Sequence, residues 1–484
     1  MDPELKWVAI YPELALAALI VVVLCLEVVC WPRRATNSVG YLTLCGSLAA
    51  LTVSLMEWDQ TLIIQAFYGM ILLDAYTTFC DILVLACTIF TLLLSLHHSP
   101  GEKPDRGREY YLLLLLAALG MMFVVCAADL LVVFLGLELM SLALYALVGS
   151  AWRSTDSGKT GLKYFLVGVF ASGFSLCGMA LIYGAAGSTN LQTLGVYLLD
   201  SDLREHSLLF PGMALLLVGF GCKVAVVPFH MWTPDLHQKT PAPVTAFLST
   251  APKVAGFAVL ARIFLYGFES LTDDWRPLLW GLAVLGMVGG NLLALNQRDP
   301  KRMLAYSSIA HTGYVLVGLV AANPEGVAGA LFHLCAYTLT SMGSFAVLVV
   351  CQRKEGRTEI RDYSGLGFRH PLLGMALALL LLSLAGLPPT AGFVGRFYLF
   401  SAAVEAGFTG LAAIGVLSGA MSAYCCFKMV ASMYMRRTDP EPPAVAMAPE
   451  ALAVVLLAVL GTLGLGLAPG GLMEVVDAVA ISLR

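Results

Sequence analysis

The sequence predicts an all-α polytopic membrane protein of about fourteen transmembrane helices. Three observations carry this expectation. Of 484 residues, 59% are apolar and 12% are charged, the latter about half the share of a soluble domain. The mean hydropathy is +0.83. The apolar residues also gather into runs of about 20, the length that crosses a bilayer as a helix, rather than alternating as barrel strands do. A soluble globular enzyme, a disordered chain and a nucleic-acid binder are excluded on the same grounds. The formal net charge of −4 says little, because in a membrane protein the placement of charge outweighs its sum.

Apolar runs read against polar breaks place the spans at 8–31, 39–57, 70–96, 110–127, 129–151, 162–184, 209–229, 243–268, 277–296, 302–321, 326–351, 371–406 with an internal break, 409–435 and 447–469. Val8 to Trp31 lacks a small-residue cleavage site and reads as a span, not a signal peptide. Ala127–Ala128–Asp129 is the shortest hinge; fusing its two runs would give about twice the length a bilayer needs. With the N-terminus outside, nineteen of the 28 basic residues fall in inside loops and four in outside segments, Lys6, Arg204, Arg276 and Arg484. That asymmetry fits the positive-inside rule and places both termini outside. No connector is long enough for a soluble domain, so the chemistry is expected within the bilayer. The organisation expected is helices 1–3 (1–109), five helices (110–268), five more (277–435) and a last helix (447–484).

Twelve cysteines raise the question of disulfides or metal. Cys25, Cys45, Cys87, Cys177, Cys222, Cys335 and Cys425 lie inside apolar runs and no C-x-x-C pair exists. They read as small buried hydrophobes, not as zinc or iron–sulfur ligands.

The five remaining basic residues fall within spans: Lys223, Lys253, Arg262, Arg396 and Lys428. Glu138 is a mid-span acid, and His311 and His333 add titratable groups to later spans. A charge at the bilayer centre is costly and normally faces protein or water. One such pair could be a static clamp between helices; several, spaced along the interior, are what a proton or ion path needs. Protons are favoured over metal cations, which want carboxylates and carbonyls. A free lysine titrates near pH 10.4. Burial and a second cation bring a lysine toward neutrality, where it can release and retake a proton. A movable Glu138 would then set whether Lys223 holds its proton. Asp74 and Asp81 share a helical face and would either cap a vestibule or pair with Arg262.

Backbone breaks fall beside these charges. Pro228 follows Lys223, with His230, Trp232, Pro234 and Asp235 after it, and Leu-Ala-Gly-Leu-Pro-Pro-Thr-Ala-Gly at 384–392 interrupts the twelfth span next to Arg396. Broken helices at corresponding places in two halves mark transporter working sites. The seventh and twelfth spans are five apart, an odd offset in an alternating topology. Spans four to eight and nine to thirteen are therefore expected to be inverted repeats.

These residues resemble a family. Gly219-Phe-Gly-Cys-Lys-Val-Ala-Val-Val-Pro-Phe-His-Met-Trp-Thr-Pro-Asp, continuing to Ala-Pro-Lys253, is similar to the signature of the antiporter-like membrane subunits of respiratory complex I. That family also holds cation/proton antiporter and membrane hydrogenase subunits. Within it, Leu135-Gly-Leu-Glu-Leu-Met-Ser, Lys163-Tyr-Phe, Asn296-Gln-Arg-Asp-Pro-Lys-Arg-Met-Leu-Ala-Tyr-Ser-Ser-Ile-Ala-His-Thr-Gly-Tyr and Ser383-Leu-Ala-Gly-Leu-Pro-Pro-Thr-Ala-Gly-Phe-Val-Gly-Arg-Phe-Tyr resemble the subunit N branch of NADH-quinone oxidoreductase. The resemblance implies a proton-translocating membrane subunit of a bacterial inner membrane. It implies no redox site in this chain; NADH, flavin, iron–sulfur clusters and quinone would sit in partner subunits. The partners implied are the other membrane subunits of complex I, lipid and protons. A subunit of a cation/proton antiporter or membrane hydrogenase is the alternative, and an inert scaffold a second. By resemblance, Glu138 and Lys223 are the ion pair of a first half-channel, Lys253 is a central relay, and His311 serves the second half. His230 beside the first break joins the candidate path. Arg396 stands where the family usually carries Lys, or Glu in one paralogue. Because Arg stays protonated, it would be a fixed charge, with the outlet through water or neighbours such as Tyr424 or Lys428.

The topology is testable. A reactive label at Arg353–Arg357 is expected to react from the cytoplasmic side only; labelling from the periplasm would overturn both the orientation and the span count.

Overall fold

The computed structural model is an all-α helical bundle, described here for residues 5–29, 36–59, 63–96, 107–150, 155–199, 207–355, 359–435 and 448–483. In order these form α1 (Tyr11–Val29), α2 (Thr36–Met56), a hairpin of β1 (Ile64–Ala66) and β2 (Ile71–Leu73), α3 (Ala75–Ser95), α4 (Gly107–Cys126), α5 (Leu130–Ser150), α6 (Thr155–Ala186) and α7 (Leu191–Tyr197). There follow α8 (Leu209–Lys223), α9 (Thr233–Lys239), α10 (Ala242–Ala261), α11 (Thr272–Leu295), α12 (Pro300–Ala321) and α13 (Pro324–Glu355). The chain ends with α14 (Pro371–Ala385), α15 (Ala391–Glu405), α16 (Thr409–Met435), α17 (Pro449–Leu467) and α18 (Gly470–Ser482). Among the described residues, twelve helices are long and apolar enough to cross a membrane. Two shorter apolar helices, α8 and α14, stand where the seventh and twelfth spans are expected, each followed by a second short helix, α9 and α15. The basic connectors at 97–106, 356–358 and 436–447 lie outside the described residues.

Several boundaries differ from the sequence reading. The third span begins at Ala75, not 70, because the Asp74 carboxylate caps it by accepting from the Thr77 N–H at 2.7 Å. The residues before it pair as a short antiparallel hairpin turning through Phe67, Tyr68 and Gly69, all at positive φ. An apolar run alone does not tell strand from helix. The connector 185–208 contains α7, capped by Asn190, and α18 follows the last span. The hinge at Asp129 does separate α4 from α5: its carboxylate accepts from the Leu131 N–H at 2.8 Å and from the Thr189 hydroxyl at 2.8 Å.

Small residues let helices touch. A side chain at Gly120 would collide with the backbone of Met140, and one at Gly313 with that of Met287. These glycines join α4 to α5 and α11 to α12. Close backbone approach replaces the hydrophobic drive that lipid cannot supply between helices. The interior column is α10, buried along its whole spanning length, with α12 and α13 beside it.

The ambiguity over Asp74 resolves as a buried ion pair. Arg262 Nη1 and Nη2 donate to the two Asp74 oxygens at 3.0 and 3.1 Å, and Nη2 also donates to the Thr77 hydroxyl at 3.0 Å. This clamps the start of α3 to the end of α10. Removing one partner of such a pair leaves an uncompensated charge, costing about 3–5 kcal/mol, whereas replacing both is often near neutral. Asp74→Ala is therefore expected to lower the thermal stability of the detergent-solubilised protein strongly. Asp74→Ala/Arg262→Leu should recover most of it; a double variant no more stable than the single one would contradict this account.

Candidate functional site

The first break follows from Pro228, which has no N–H to give a helix, and from Ala225, held at a φ of +59°. In a bilayer the carbonyls that a break frees must find partners within the protein. Here Trp232 Nε1 donates to the Cys222 carbonyl at 3.2 Å, and the Thr312 hydroxyl, from α12, donates to the Val224 carbonyl at 3.2 Å. The break leaves Lys223 at the tip of α8, its side chain turned into the bundle and 7% exposed.

Lys223 meets a face of α5. Its Nζ donates to the Ser141 hydroxyl at 2.6 Å and the Ser172 hydroxyl at 3.2 Å, lies 3.5 Å from the Tyr145 hydroxyl, and stands 3.7 Å from Glu138 Oε1. The Ser172 hydroxyl donates to Glu138 Oε1. The expected Glu138–Lys223 pair therefore exists, with a serine hydroxyl inserted between acid and base. A cavity of about 20 Å³ lies beside Lys223 and reaches Leu248 and Pro252 on α10, room for roughly one water. Pro252 immediately precedes Lys253.

Lys253, 5% exposed, has no carboxylate partner among the described residues. Its Nζ donates to the Ser308 carbonyl and hydroxyl, and lies 5.5 Å from the centre of the Tyr337 ring. Tyr337 in turn packs on His311, with ring centres 4.8 Å apart, and donates to the Ser249 carbonyl at 3.1 Å. His311 and His333 stack, and His311 Nδ1 shares a 3.0 Å hydrogen bond with His333 Nε2. The outer nitrogens, His311 Nε2 and His333 Nδ1, have no partner among the described residues. A hydrogen-bonded pair open at both ends has the form of a two-step relay.

At the second break Gly386, at φ +78°, ends α14. Arg396 reaches back from α15 and donates to the freed carbonyls, through Nη1 to Ala385 at 2.8 Å and through Nη2 to Leu384. Its guanidinium lies 4.2 Å over the Tyr314 ring. A cation on the C-terminal carbonyls of a helix also meets the negative end of the helix dipole. Both carbonyls belong to the last turn of α14, at the start of the 384–392 interruption. A cavity of about 640 Å³, walled mostly by apolar residues of α15 and α16, opens beside Arg396.

Two expected residues are not brought into this array. His230 lies in the first break, buried, its Nδ1 without a partner among the described residues. Lys428 is exposed, and its Nζ donates to the Leu295 and Gln297 carbonyls at 3.1 Å each, at the end of α11. The structure adds Ser141, Tyr145 and Ser172 around Lys223, and Ser308, Tyr314 and Tyr337 around the histidines. Spacing could have found most of them. Ser141 and Tyr145 follow Glu138 at helical intervals, Ser308 and Tyr314 flank His311, and Tyr337 follows His333. Ser172 lies on another helix and carries no such signal.

Comparison with known proteins agrees with this architecture. Residues 127–422 match the family model described as NADH:quinone oxidoreductase/Mrp antiporter, TM. A NADH-quinone oxidoreductase subunit N from Trichlorobacter lovleyi is 42% identical over 96% of this chain and 95% of its own length. A subunit N 2 from Roseiflexus castenholzii is also 42% identical, over 93% and 92%. A chain of respiratory complex I from Thermus thermophilus superposes with a TM-score of 0.81 at 36% identity, covering 96% of this chain and 98% of that one. A chain of the Mrp complex from Dietzia shares the fold, with a TM-score of 0.86 at 22% identity over 99% and 98%. With Lys223, Lys253 and the broken helices placed as described, the chain belongs to the NADH:quinone oxidoreductase/Mrp antiporter membrane family, in its NADH-quinone oxidoreductase subunit N branch.

Proposed function

We propose that this chain is the proton-translocating membrane subunit, of subunit N type, in a NADH-quinone oxidoreductase. It would act in a bacterial inner membrane, with the basic loops cytoplasmic and both termini periplasmic. The observation that carries the proposal is the row of titratable side chains running from the half-buried Glu138 through the buried Lys223, Lys253, His311 and His333, with Arg396 at its far end. The 42% identity to subunit N relatives favours this assembly over a cation/proton antiporter or hydrogenase complex. An inert scaffold is disfavoured because hydroxyls and carbonyls, not locking carboxylates, surround Lys253. Redox chemistry on NADH, flavin, iron–sulfur clusters and quinone belongs, on this reading, to partner subunits, whose energy reaches this chain through contacts between membrane subunits.

The chain's own residues would act in sequence. Ser172 lies between Glu138 and Lys223, so a small turn of Glu138 toward or away from the hydroxyl changes the field at the Lys223 ammonium. When the carboxylate withdraws, the ammonium is left with neutral partners and gives its proton through the small cavity toward Lys253. Lys253 passes it by way of Ser308 and Tyr337 to the histidine pair. Arg396 stays charged and sets the potential an arriving proton meets, while the proton itself leaves by water beside it.

Two experiments test this. Lys223→Ala is expected to cut NADH-driven proton pumping by the assembled complex about a hundredfold or more, the scale at which a positioned proton-transfer group contributes. Ser172→Ala, which keeps both charges and removes only the bridge, should weaken pumping less. Normal pumping by an assembled Lys223→Ala complex would end the ion-pair assignment.

Arg396 separates charge from proton transfer. Arg396→Lys keeps a cation and should preserve pumping. Arg396→Leu removes it and should impair pumping in proteoliposomes while the complex still assembles on native gels. Unchanged pumping by an assembled Arg396→Leu complex would show that the proton leaves by a route this charge does not control.

A further inference from the structure

A second cavity, of about 590 Å³, lies apart from this array. It is formed where the end of α11, the segment 359–361 and the last turns of α16 meet. Its walls include Arg298, Glu359, Arg361, Tyr424, Phe427 and Lys428. The proposed proton path uses none of these contacts.

The cavity is held in shape by backbone bonds. The Ile360 N–H donates to the Arg298 carbonyl at 2.8 Å, and the Ser432 hydroxyl, from α16, donates to the Ile360 carbonyl at 3.1 Å. Its charges do not cancel. Three cations face one carboxylate, and the Glu359 carboxylate is turned to its own chain as an N-cap, accepting from the backbone N–H of Asp362. The Lys428 ammonium is committed to two carbonyls. Neither Arg298 nor Arg361 forms an ion pair among the described residues. Arg298 and Arg361 are both exposed on the same cavity, and a guanidinium is a group that phosphate oxygens pair with through N–H bonds.

The wall opposite the cations is apolar and outward-facing. Tyr424 is 64% exposed, Phe427 49% and Met435 83%, and α16 is one of the less buried spans. The cavity thus sets exposed aromatic and apolar side chains of a candidate spanning helix beside a charged floor. A free inorganic anion would use only the floor. Basic pockets between helices on the cytoplasmic side are where lipid headgroups bind, and the volume falls in the range of ligand sites, roughly 300–1,000 Å³.

We infer that this cavity binds an anionic phospholipid, with Arg298 and Arg361 on the headgroup phosphate and Phe427 and Tyr424 along the acyl chains. The inference rests on the proposed membrane orientation and not on the proton path, so it stands or falls separately from that path. A lipid seated here would join α11 to α16, the first and last spans of the second unit.

The test uses the assembled complex in phosphatidylcholine nanodiscs doped with a photoactivatable lipid, read by mass spectrometry of crosslinked peptides. A phosphatidylglycerol probe is expected to label residues 424–435 about tenfold more than a phosphatidylcholine probe, and millimolar inorganic phosphate should not displace it. Arg298→Gln/Arg361→Gln should reduce labelling to the phosphatidylcholine level. Arg298→Lys/Arg361→Lys should retain it, which controls for loss of fold. Equal labelling by the two probes overturns the inference. So does labelling indifferent to the glutamine pair. Loss of the label to phosphate would make this a free-anion site, and no labelling in the assembled complex would mean that a partner subunit covers it.

Discussion

Inside hydrocarbon no water completes an unfinished hydrogen bond, so every polar group exposed by a broken helix or a buried charge must be answered by the protein. Much of this structure follows from that constraint. Pro228 and Gly386 end helices within the bilayer, and the carbonyls they free become the groups around which side chains organise. Trp232 and Thr312 close the first break, and the Arg396 guanidinium closes the second. Lys253 is held to another helix through the carbonyl and hydroxyl of Ser308.

The same constraint separates fixed charges from movable ones. Arg262 is gripped by both oxygens of Asp74, a two-pronged pair that is strong and oriented. It ties α3 to the end of α10 and leaves neither partner free. Lys223 is treated differently. Hydroxyls are its close partners, and the Glu138 oxygen stands farther off at 3.7 Å. Hydroxyls donate or accept as they rotate, so such a site tolerates a change of protonation that a bidentate pair would resist. Neutral partners around Lys253 and a histidine pair open at both ends continue the pattern.

Recognition from sequence depended on how much of each feature was local. Glu138, Lys223, Lys253, His311 and Arg396 could be found because a charge inside an apolar run is conspicuous in one dimension. Lys428 passed the same criterion, yet the fold carries it to the exposed surface at the end of α11, where it caps carbonyls. Reading charge within a span gives no information about which way the helix faces when the span is apolar all round. Strand β2, Ile71–Leu73, falls inside the expected third span for a related reason, since hydrophobicity measures partition and not backbone geometry. Ser172 was invisible because a serine in a membrane helix ordinarily returns its hydrogen bond to its own backbone. Its second bond, to Glu138, exists only because α6 packs against α5.

The sequence by itself determined the all-α polytopic class, the two interruptions and the kinds of titratable group available. Helix length, proline's missing N–H and the cost of a buried charge are properties of local stretches, and they act before any tertiary contact forms. Only the tertiary structure decided which of those groups meet. The pairing of Asp74 with Arg262, the serine between Glu138 and Lys223, the stack of His311 on His333 and the reach of Arg396 to carbonyls of the preceding half-helix all join residues from different helices or across a break. Spanning helices with no strong polar face can rotate about their axes at little cost to their local energy. Packing, through glycine contacts such as Gly120 on Met140, fixes that rotation, and with it the side of each helix that turns its charge inward.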